Sequence, residues 1–173
     1  MPMPTSRASR RRGQPCNGEP MPAFETNRRV AFTSRQMFDL VADVEQYPKF
    51  FPLCEALRVQ SRETRGETQV LMAEMTVGYV AIRETIVSRV TLEPQQLRVA
   101  ADLVDGPFKK LQNRWRFVDA PGGCDVHFGI DYEFKSFMLQ MLVGAVFEQA
   151  FRRCTEAFEA RAREVYGAPT TAA

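Results

Sequence analysis

The stretch FMLQMLVGAVFEQAFRRCTEAFEARAREVY, residues 137–166, predicts one long helix near the end of the chain. In its second half apolar side chains recur at spacings of three and four, which places them on one face of a helix. In its first half only Gln140 is clearly polar. A helix that is apolar all round is either buried on more than one side or offered to a ligand, a membrane or a partner. A helix that lies on a single sheet needs only one apolar stripe. The additional apolar surface therefore indicates burial on a second side or contact with a ligand, a membrane or a partner.

The sequence before this helix predicts the sheet that it covers. A strand is predicted at 24–32, and a helix follows it. Thr33 and Ser34 offer the N-terminal cap of this helix, and the prolines Pro48 and Pro52 end it. From there to Phe134, apolar and polar residues alternate in runs that are typical of antiparallel strands with one wet face. Turn signals separate several of these runs: Arg65-Gly66, Glu93-Pro94, Asp105-Gly106-Pro107 and Pro121-Gly122-Gly123.

These predicted elements form the helix-grip arrangement, an α+β fold. It consists of a short helical unit, a curved antiparallel sheet and a long terminal helix that lies across the sheet. Such a sheet wraps the helix incompletely, and the gap is a cavity of the kind that binds apolar ligands. The inward positions are largely Ile, Leu, Met, Val, Phe and Trp. A packed core needs the same residues, so the pattern alone leaves both a cavity and a filled core open.

Composition limits the function classes. The 173 residues fit one domain, and the net charge of +2 is too small to indicate a nucleic-acid-binding protein by itself. No apolar stretch approaches the roughly 18 to 20 residues that span a bilayer. The four cysteines lack CxxC spacing and His127 is the single histidine, which argues against a zinc site and a disulfide scaffold. We therefore expect free, buried thiols and a reducing compartment, the cytoplasm.

The ends of the chain differ from its middle. Residues 1–21 are rich in proline and arginine and lack the apolar region of a secretory signal, so we expect a disordered basic arm. Residues 22–166 form the predicted folded domain. Residues 167–173 are expected to be a short disordered tail.

Catalytic motifs are sparse. GxSxG, HExxH and phosphate-binding glycine loops are missing from the sequence, and alternation places His127 on the polar face of its strand. Glu84 is the acid that alternation places on the inward face. It could bind a polar head group or act as an acid or base, or strand twist could turn it toward water, since a buried charge is costly unless it is paired.

A nucleic-acid interface is the alternative use of the sheet. Outward-facing arginines on neighbouring strands could contact phosphates without reading bases. Cross-strand pairing with acidic residues is the competing explanation. The arginines assigned to this surface are Arg58, Arg89, Arg98, Arg114 and Arg116.

Four segments together resemble one known family: VADVEQYPKFFPLC, MTVGYVAIRETIVSRV, DGPFKKLQNRWRF and GAVFEQAFRRCTEAFEARA. The resemblance is to the coenzyme-Q-binding START-domain family, a relative of the polyketide cyclases in a superfamily that includes the ribosome association toxins. It covers about residues 22–165. It implies a helix-grip fold with a hydrophobic tunnel for a polyprenyl quinone. At Leu53 the chain departs from the aromatic residue that many relatives carry before the cysteine.

The resemblance implies a non-catalytic chaperone or carrier for ubiquinone, without a catalytic cofactor or metal, that supports ubiquinone synthesis and respiratory electron transport. A toxin-like inhibitor of ribosomal subunit association and a cyclase-like enzyme are the alternatives. Expected partners are a polyprenyl quinone or lipid, a transiently contacted membrane surface such as the bacterial inner membrane, and, in the alternative, the large ribosomal subunit; the oligomeric state stays open. The residues expected to contact the ligand are Pro48, Phe51, Met75, Tyr79, Glu84, Phe108, Lys109, Trp115, Met138, Leu142, Val146 and Phe147.

Overall fold

The computed structural model describes residues 24–169. The predicted arm, 1–21, and residues 170–173 of the predicted tail lie outside this range. The elements follow in chain order: β1 (Phe24–Val30), α1 (Ser34–Ala42), a 3₁₀ helix (Val44–Lys49), β2 (Cys54–Arg65), β3 (Thr68–Tyr79), β4 (Ile82–Glu93), β5 (Arg98–Asp105), β6 (Phe108–Ala120), β7 (Gly123–Phe134), α2 (Phe137–Arg152) and α3 (Cys154–Tyr166).

All seven strands form one antiparallel sheet in the order β1-β7-β6-β5-β4-β3-β2. Strands β2 to β7 form a meander, and α1 with the 3₁₀ helix carries the chain from β1 at one edge to β2 at the other. Register shifts in the pairs β2–β3, β4–β5 and β6–β7 mark bulges, which bend the strands and increase their twist. One face of the bent sheet packs on the terminal helices, which confirms the α+β helix-grip fold.

Local signals in the sequence account for most element boundaries. Thr33 caps α1: its side chain accepts a hydrogen bond from the N–H of Gln36, and the Gln36 side chain accepts one from the N–H of Thr33. The β6–β7 loop is the two residues Pro121 and Gly122. Gly123 then lies so close to β1 that an added Cβ would stand 1.9 Å from the carbonyl oxygen of Val30, which excludes a side chain there.

The β3–β4 loop has no such signal. It consists of Val80 and Ala81, and Val80 has φ 55°, a conformation that a β-branched residue rarely adopts. Val80 is also 92% exposed. The chain therefore turns between two of the predicted alternating runs without a glycine or proline in the loop itself.

The C-terminal helix differs from the single helix that its periodicity predicts. It is divided at Arg153 into α2 and α3. Neither glycine nor proline stands at the division, so the sequence pattern does not reveal it. The inward stripe nevertheless continues across the break, because Phe147 on α2 and Cys154 and Phe158 on α3 are all buried.

Phe158 is the centre of the core. It is fully buried, and its ring centroid lies 5.1 Å from those of Trp115 on β6 and Phe50 beside the 3₁₀ helix, and 5.3 Å from that of Tyr47. These edge-to-face contacts join three parts of the chain through one side chain. On the outer side of α3, Glu159 accepts a hydrogen bond from Arg28 at 2.5 Å and so fixes the helix to β1.

Replacing Phe158 with Ala should lower the free energy of unfolding by about 3–5 kcal/mol, because it removes buried contacts and leaves a cavity. Phe137, which is 80% exposed on α2, provides the matched control. Its replacement with Ala should change the free energy by no more than about 0.5 kcal/mol. Denaturant unfolding measures both, and equal losses would contradict the central position of Phe158.

Candidate functional site

A cavity lies between the concave face of the sheet and the terminal helices. Its volume is about 110 Å³. The segment 44–53, strands β2 to β7 and both terminal helices contribute to its wall, and their side chains there are mainly aliphatic or aromatic. The lining residues are Val44, Tyr47, Phe51, Pro52, Leu53, Leu57, Ala73, Met75, Val77, Ile86, Ser88, Val90, Val99, Ala101, Phe108, Leu111, Asn113, Trp115, Phe128, Ile130, Phe147, Ala150, Phe151, Cys154 and Phe158. None of these side chains is a carboxylate, a histidine, a lysine or an arginine, so the wall is uncharged.

Two polar side chains nevertheless stand in this wall, Ser88 on β4 and Asn113 on β6. The buried Oδ1 atom of Asn113 has no hydrogen-bond partner among residues 24–169. Tyr47 differs, because its hydroxyl donates to the carbonyl of Val41 at 2.5 Å. Burial raises the pKa of Tyr47 well above its usual range, which keeps the hydroxyl neutral.

The segment between the 3₁₀ helix and β2 forms one side of the cavity. Leu53, where the family resemblance fails, has φ 65° and lines the cavity. Two hydrogen bonds hold this segment: the N–H of Gly78 donates to the carbonyl of Leu53 at 3.0 Å, and the N–H of Cys54 donates to that of Phe51 at 3.2 Å. A strained non-glycine residue at a pocket wall is typical of functional sites.

The structure brings five of the twelve predicted ligand residues together on the cavity wall. They come from four elements or loops, because Phe108 and Trp115 both lie on β6. These residues are Phe51, Met75, Phe108, Trp115 and Phe147. The alternation of β3 and β6 and the aromatic content of the quoted segments were sufficient to identify them.

Lys109 and Glu84 lie outside the cavity lining. Lys109 is the extra residue of the bulge at the start of β6, which turns it outward to an ion pair with Glu133 at 3.4 Å. Glu84 lies at the end of β4 beneath the start of α2, in a separate shallow pocket with Ile82 and Leu139. The inward face of the sheet extends beyond the cavity, so alternation alone placed Glu84 too close to it.

The remaining five predicted residues also lie outside the cavity lining. Met138 and Leu142 are 71% and 62% exposed, because α2 overhangs the edge of the sheet at its beginning. Tyr79 is 43% exposed next to the β3–β4 loop. Pro48 is exposed on the 3₁₀ helix, and Val146 is half-buried on α2.

Sequence reasoning missed Ser88 and Asn113 as site residues. Both occupy inward positions of their strands, where alternation predicts apolar side chains. The signal was therefore present as a polar residue within an apolar face. It was not used because a polar inward residue can also be bonded within the core.

The outer face of the sheet carries the predicted basic surface. Arg58 and Arg114 are neutralised in part by Glu74 at 3.2 Å and Asp102 at 2.6 Å. In contrast, the other three predicted arginines have no carboxylate within 4 Å in the described part of the chain: Arg89, Arg98 and Arg116.

Two of these arginines stand in one row. Arg98 on β5 is directly opposite Arg116 on β6, which is opposite His127 on β7. The three side chains line an open groove on the outer face together with Arg114, and the acidic residues Glu25, Glu93 and Asp131 line the same groove. Like charges placed directly opposite each other on neighbouring strands are destabilising, so the row is a candidate anion-binding surface. His127 faces outward, as alternation predicts.

The described cysteines are free and buried, as predicted: Cys54, Cys124 and Cys154. Burial raises the pKa of Cys54 and that of Cys124 to about 11, and raises the pKa of Cys154 further above its usual value. Residues 24–169 contain no group of three or more His, Cys, Asp and Glu side chains placed to hold a metal ion.

The sequence pattern of the family described as polyketide cyclase / dehydrase and lipid transport matches residues 30–159. This span includes every strand after β1, all of α2 and the first six residues of α3. The chain belongs to this family. Among the helices of residues 24–169, none is long and apolar enough to cross a membrane.

Relatives within the family carry two kinds of name. The ribosome association toxin RatA of Escherichia coli is 34% identical over 149 residues, which cover 86% of this chain and 91% of RatA. The mitochondrial coenzyme Q-binding protein COQ10 homolog B of Xenopus laevis is 32% identical over 149 residues, which cover 83% of this chain and 59% of that protein.

A solved structure supports the same fold. An 18 kDa protein from Caulobacter crescentus is 33% identical and superposes with a TM-score of 0.70. The superposition covers 84% of this chain and 98% of that protein. The predicted family and its superfamily, with both the quinone-binding and the ribosome-association branches, are therefore confirmed.

The three buried thiols should react slowly with iodoacetamide at pH 8. With a pKa of about 11, about one thiol in a thousand is ionised at that pH, and the thiolate is the reactive form. Labelling of Cys54, Cys124 and Cys154, measured by peptide mass spectrometry, should accelerate about tenfold per pH unit up to pH 10. Labelling in urea provides the control, and equal rates in folded and unfolded protein would contradict the burial.

Proposed function

We propose that this protein is a non-catalytic binding protein for a polyprenyl quinone such as ubiquinone, or for a similar amphipathic lipid. The observation that carries the proposal is the uncharged cavity between sheet and helices, with Trp115, Phe108 and Phe147 in its wall. Apolar pockets with a few polar groups are typical sites for small hydrophobic ligands. The name of the Xenopus relative, a coenzyme Q-binding protein, supports the same ligand class.

The size of the cavity favours the ring of such a ligand over its tail. Apolar cavities of about 150 Å³ bind benzene. The cavity of about 110 Å³ is therefore on the scale of a single ring, and a substituted ring needs a small outward displacement of the side chains around it. A long isoprenoid chain needs more room than this. The tail consequently lies outside the cavity or requires the helices to move away from the sheet.

The exposed start of α2 suits the tail or a membrane surface. Phe137, Met138, Met141 and Leu142 are between 62% and 80% exposed, and Val80 of the β3–β4 loop is 92% exposed. Each methylene group that is removed from water contributes about 0.8 kcal/mol. An isoprenoid chain lying along α2 would cover this apolar surface, and so would the interior edge of a bilayer.

A cyclase-like reaction is less well supported by the geometry. Glu84, the residue assigned to acid or base chemistry, lies in the shallow pocket under α2 and not on the cavity wall. A general acid or base must stand within hydrogen-bonding reach of the reacting group. A ligand ring in the cavity therefore has no ionisable carboxylate beside it in the described residues.

Purified protein should release a quinone on organic extraction and bind a short-tail ubiquinone analogue, with quenching of the fluorescence of Trp115, the single tryptophan. Ala101→Phe should abolish the quenching, because Ala101 lines the cavity and a phenyl ring fills it. Ala100→Phe, the next residue on the outer face, provides the matched control and should bind like the unaltered protein.

Empty extracts together with an absence of binding by the unaltered protein would refute the carrier function. Equal loss of binding in the two alanine variants would show that the cavity is not the site. Circular dichroism of both variants should match that of the unaltered protein, which separates loss of binding from loss of folding.

The outer face supports a second candidate function, inhibition of ribosomal subunit association by contact with the large subunit. The observation in its favour is the row of Arg98, Arg116 and His127, whose arginines have no acidic partner within residues 24–169. Positive side chains on a sheet face contact RNA phosphates without base specificity, and such binding depends steeply on salt. The name of the Escherichia coli relative, a ribosome association toxin, agrees with this candidate.

Reversing the charge of Arg98 and Arg116 to Glu should prevent co-sedimentation with large ribosomal subunits at low salt. If each arginine contacts one phosphate, the double variant should also lower the slope of log affinity against log salt by about 2. Arg58→Glu provides the control, since Arg58 lies on β2 at the other edge of the sheet. An unchanged affinity in the double variant would exclude this row as the ribosome contact.

A further inference from the structure

The cavity contains one hydrogen-bonding group that the apolar ligand class does not explain. Asn113 lies in the centre of β6, opposite Ala101 of β5 and Ile130 of β7, on the face that lines the cavity. Its Oδ1 atom is buried without a partner in the described part of the chain. Buried polar groups are almost always hydrogen-bonded, so this amide requires an explanation.

A packing role does not supply that explanation. An apolar side chain of similar size at this position would fill the wall without leaving a buried polar atom unpaired. The amide adjoins Trp115, which is two residues further along the same face of β6 and also lines the cavity. An amide beside an aromatic wall is suited to a ligand that is a flat ring carrying an oxygen.

The amide can meet such an oxygen in either chemical form. Its oxygen accepts a hydrogen bond and its nitrogen donates two, and rotation of the amide exchanges their positions. A quinone carbonyl accepts from the nitrogen, whereas a quinol hydroxyl donates to the oxygen. An isoprenoid tail at the same place offers neither, and it would leave the amide unpaired.

Resting on the ligand-binding function proposed above, we infer that the Asn113 amide is the polar anchor of the cavity. The ligand enters ring first, and a ring oxygen of a quinone or quinol hydrogen-bonds to Asn113 beside Trp115. This places the head group deep in the protein, away from Tyr79, Glu84 and Lys109, which lie outside the cavity lining.

Ser88 provides a second polar contact on the far side of the ring. It lies on β4, two strands from Asn113, and pairs with Leu103 of β5 near the β4–β5 bulge. Two strand spacings and an offset of two residues along the strands separate the two side chains by about 12 Å. A ring with oxygens on opposite edges lies between them with one hydrogen bond at each end.

The test uses the full chain and three ligands with the same short isoprenoid tail. The first is a quinone, the second is its quinol under anaerobic reducing conditions, and the third is an arene in which methyl groups replace the two ring oxygens. Affinity is measured by quenching of Trp115 fluorescence and, independently, by calorimetry. Asn113→Leu is compared with the unaltered protein, and Asn27→Leu, an exposed residue of β1 on the outer face, provides the matched control.

The unaltered protein and Asn27→Leu should bind at least one oxygenated ring about tenfold more tightly than the arene, as expected for one buried hydrogen bond. Asn113→Leu should bind all three with similar affinity and retain the affinity of the unaltered protein for the arene. Preference for the quinol alone identifies the amide oxygen as the contact, and preference for the quinone alone identifies the nitrogen.

Equal binding of all three ligands by the unaltered protein would overturn the anchor while leaving the carrier function intact. Loss of the arene together with the oxygenated rings in Asn113→Leu would also overturn it, because that result indicates damage to the cavity. If the unaltered protein binds none of the three, the carrier function itself fails. The melting temperature of Asn113→Leu should equal or exceed that of the unaltered protein, since the substitution removes an unpaired buried acceptor.

Discussion

The whole site depends on one geometric constraint: a single broken helix covers the concave face of a seven-stranded sheet. Phe158 fills the centre, where Trp115, Tyr47 and Phe50 surround it. The helix cannot contact every strand with equal closeness, because the sheet is wider than a helix and is bent by its bulges. The space that remains next to Phe158 is the cavity. The cavity is therefore a consequence of the fold and needs no specialised loop.

The same constraint explains the contrast between the two parts of the C-terminal helix. Beyond Phe147 toward α3, apolar side chains face the sheet and are buried. Toward Phe137 much of the apolar surface of α2 is exposed, although Leu139 packs against the core and Met138 and Leu142 line the shallow pocket with Ile82. The excess of apolar surface in the sequence thus has two causes. Part of it lines the cavity, and part is left exposed for a tail, a bilayer or another partner.

Periodicity predicted the fold well because each strand has one wet face. Leu71, Val90, Trp115 and Phe128 are all buried as alternation requires. It failed at Arg153, where the predicted single helix divides without glycine or proline. The site was predicted less well, because alternation assigns a face but not a depth. Met75 and Trp115 were found by that rule, whereas Glu84 shares the inward face and lies beyond the cavity.

Strand β6 carries residues of both proposed sites on its opposite faces. Asn113 and Trp115 face the cavity, while Arg114 and Arg116, alternating with them, face the outer groove. A ligand in the cavity and an RNA on the outer surface therefore do not compete for space, since the sheet separates them. The side chains on the two faces nevertheless belong to the same strand. A displacement of β6 that is caused from one face therefore also moves the residues on the other face. Substitutions on a single face of β6 therefore distinguish the two functions more clearly than removal of the strand or the helix.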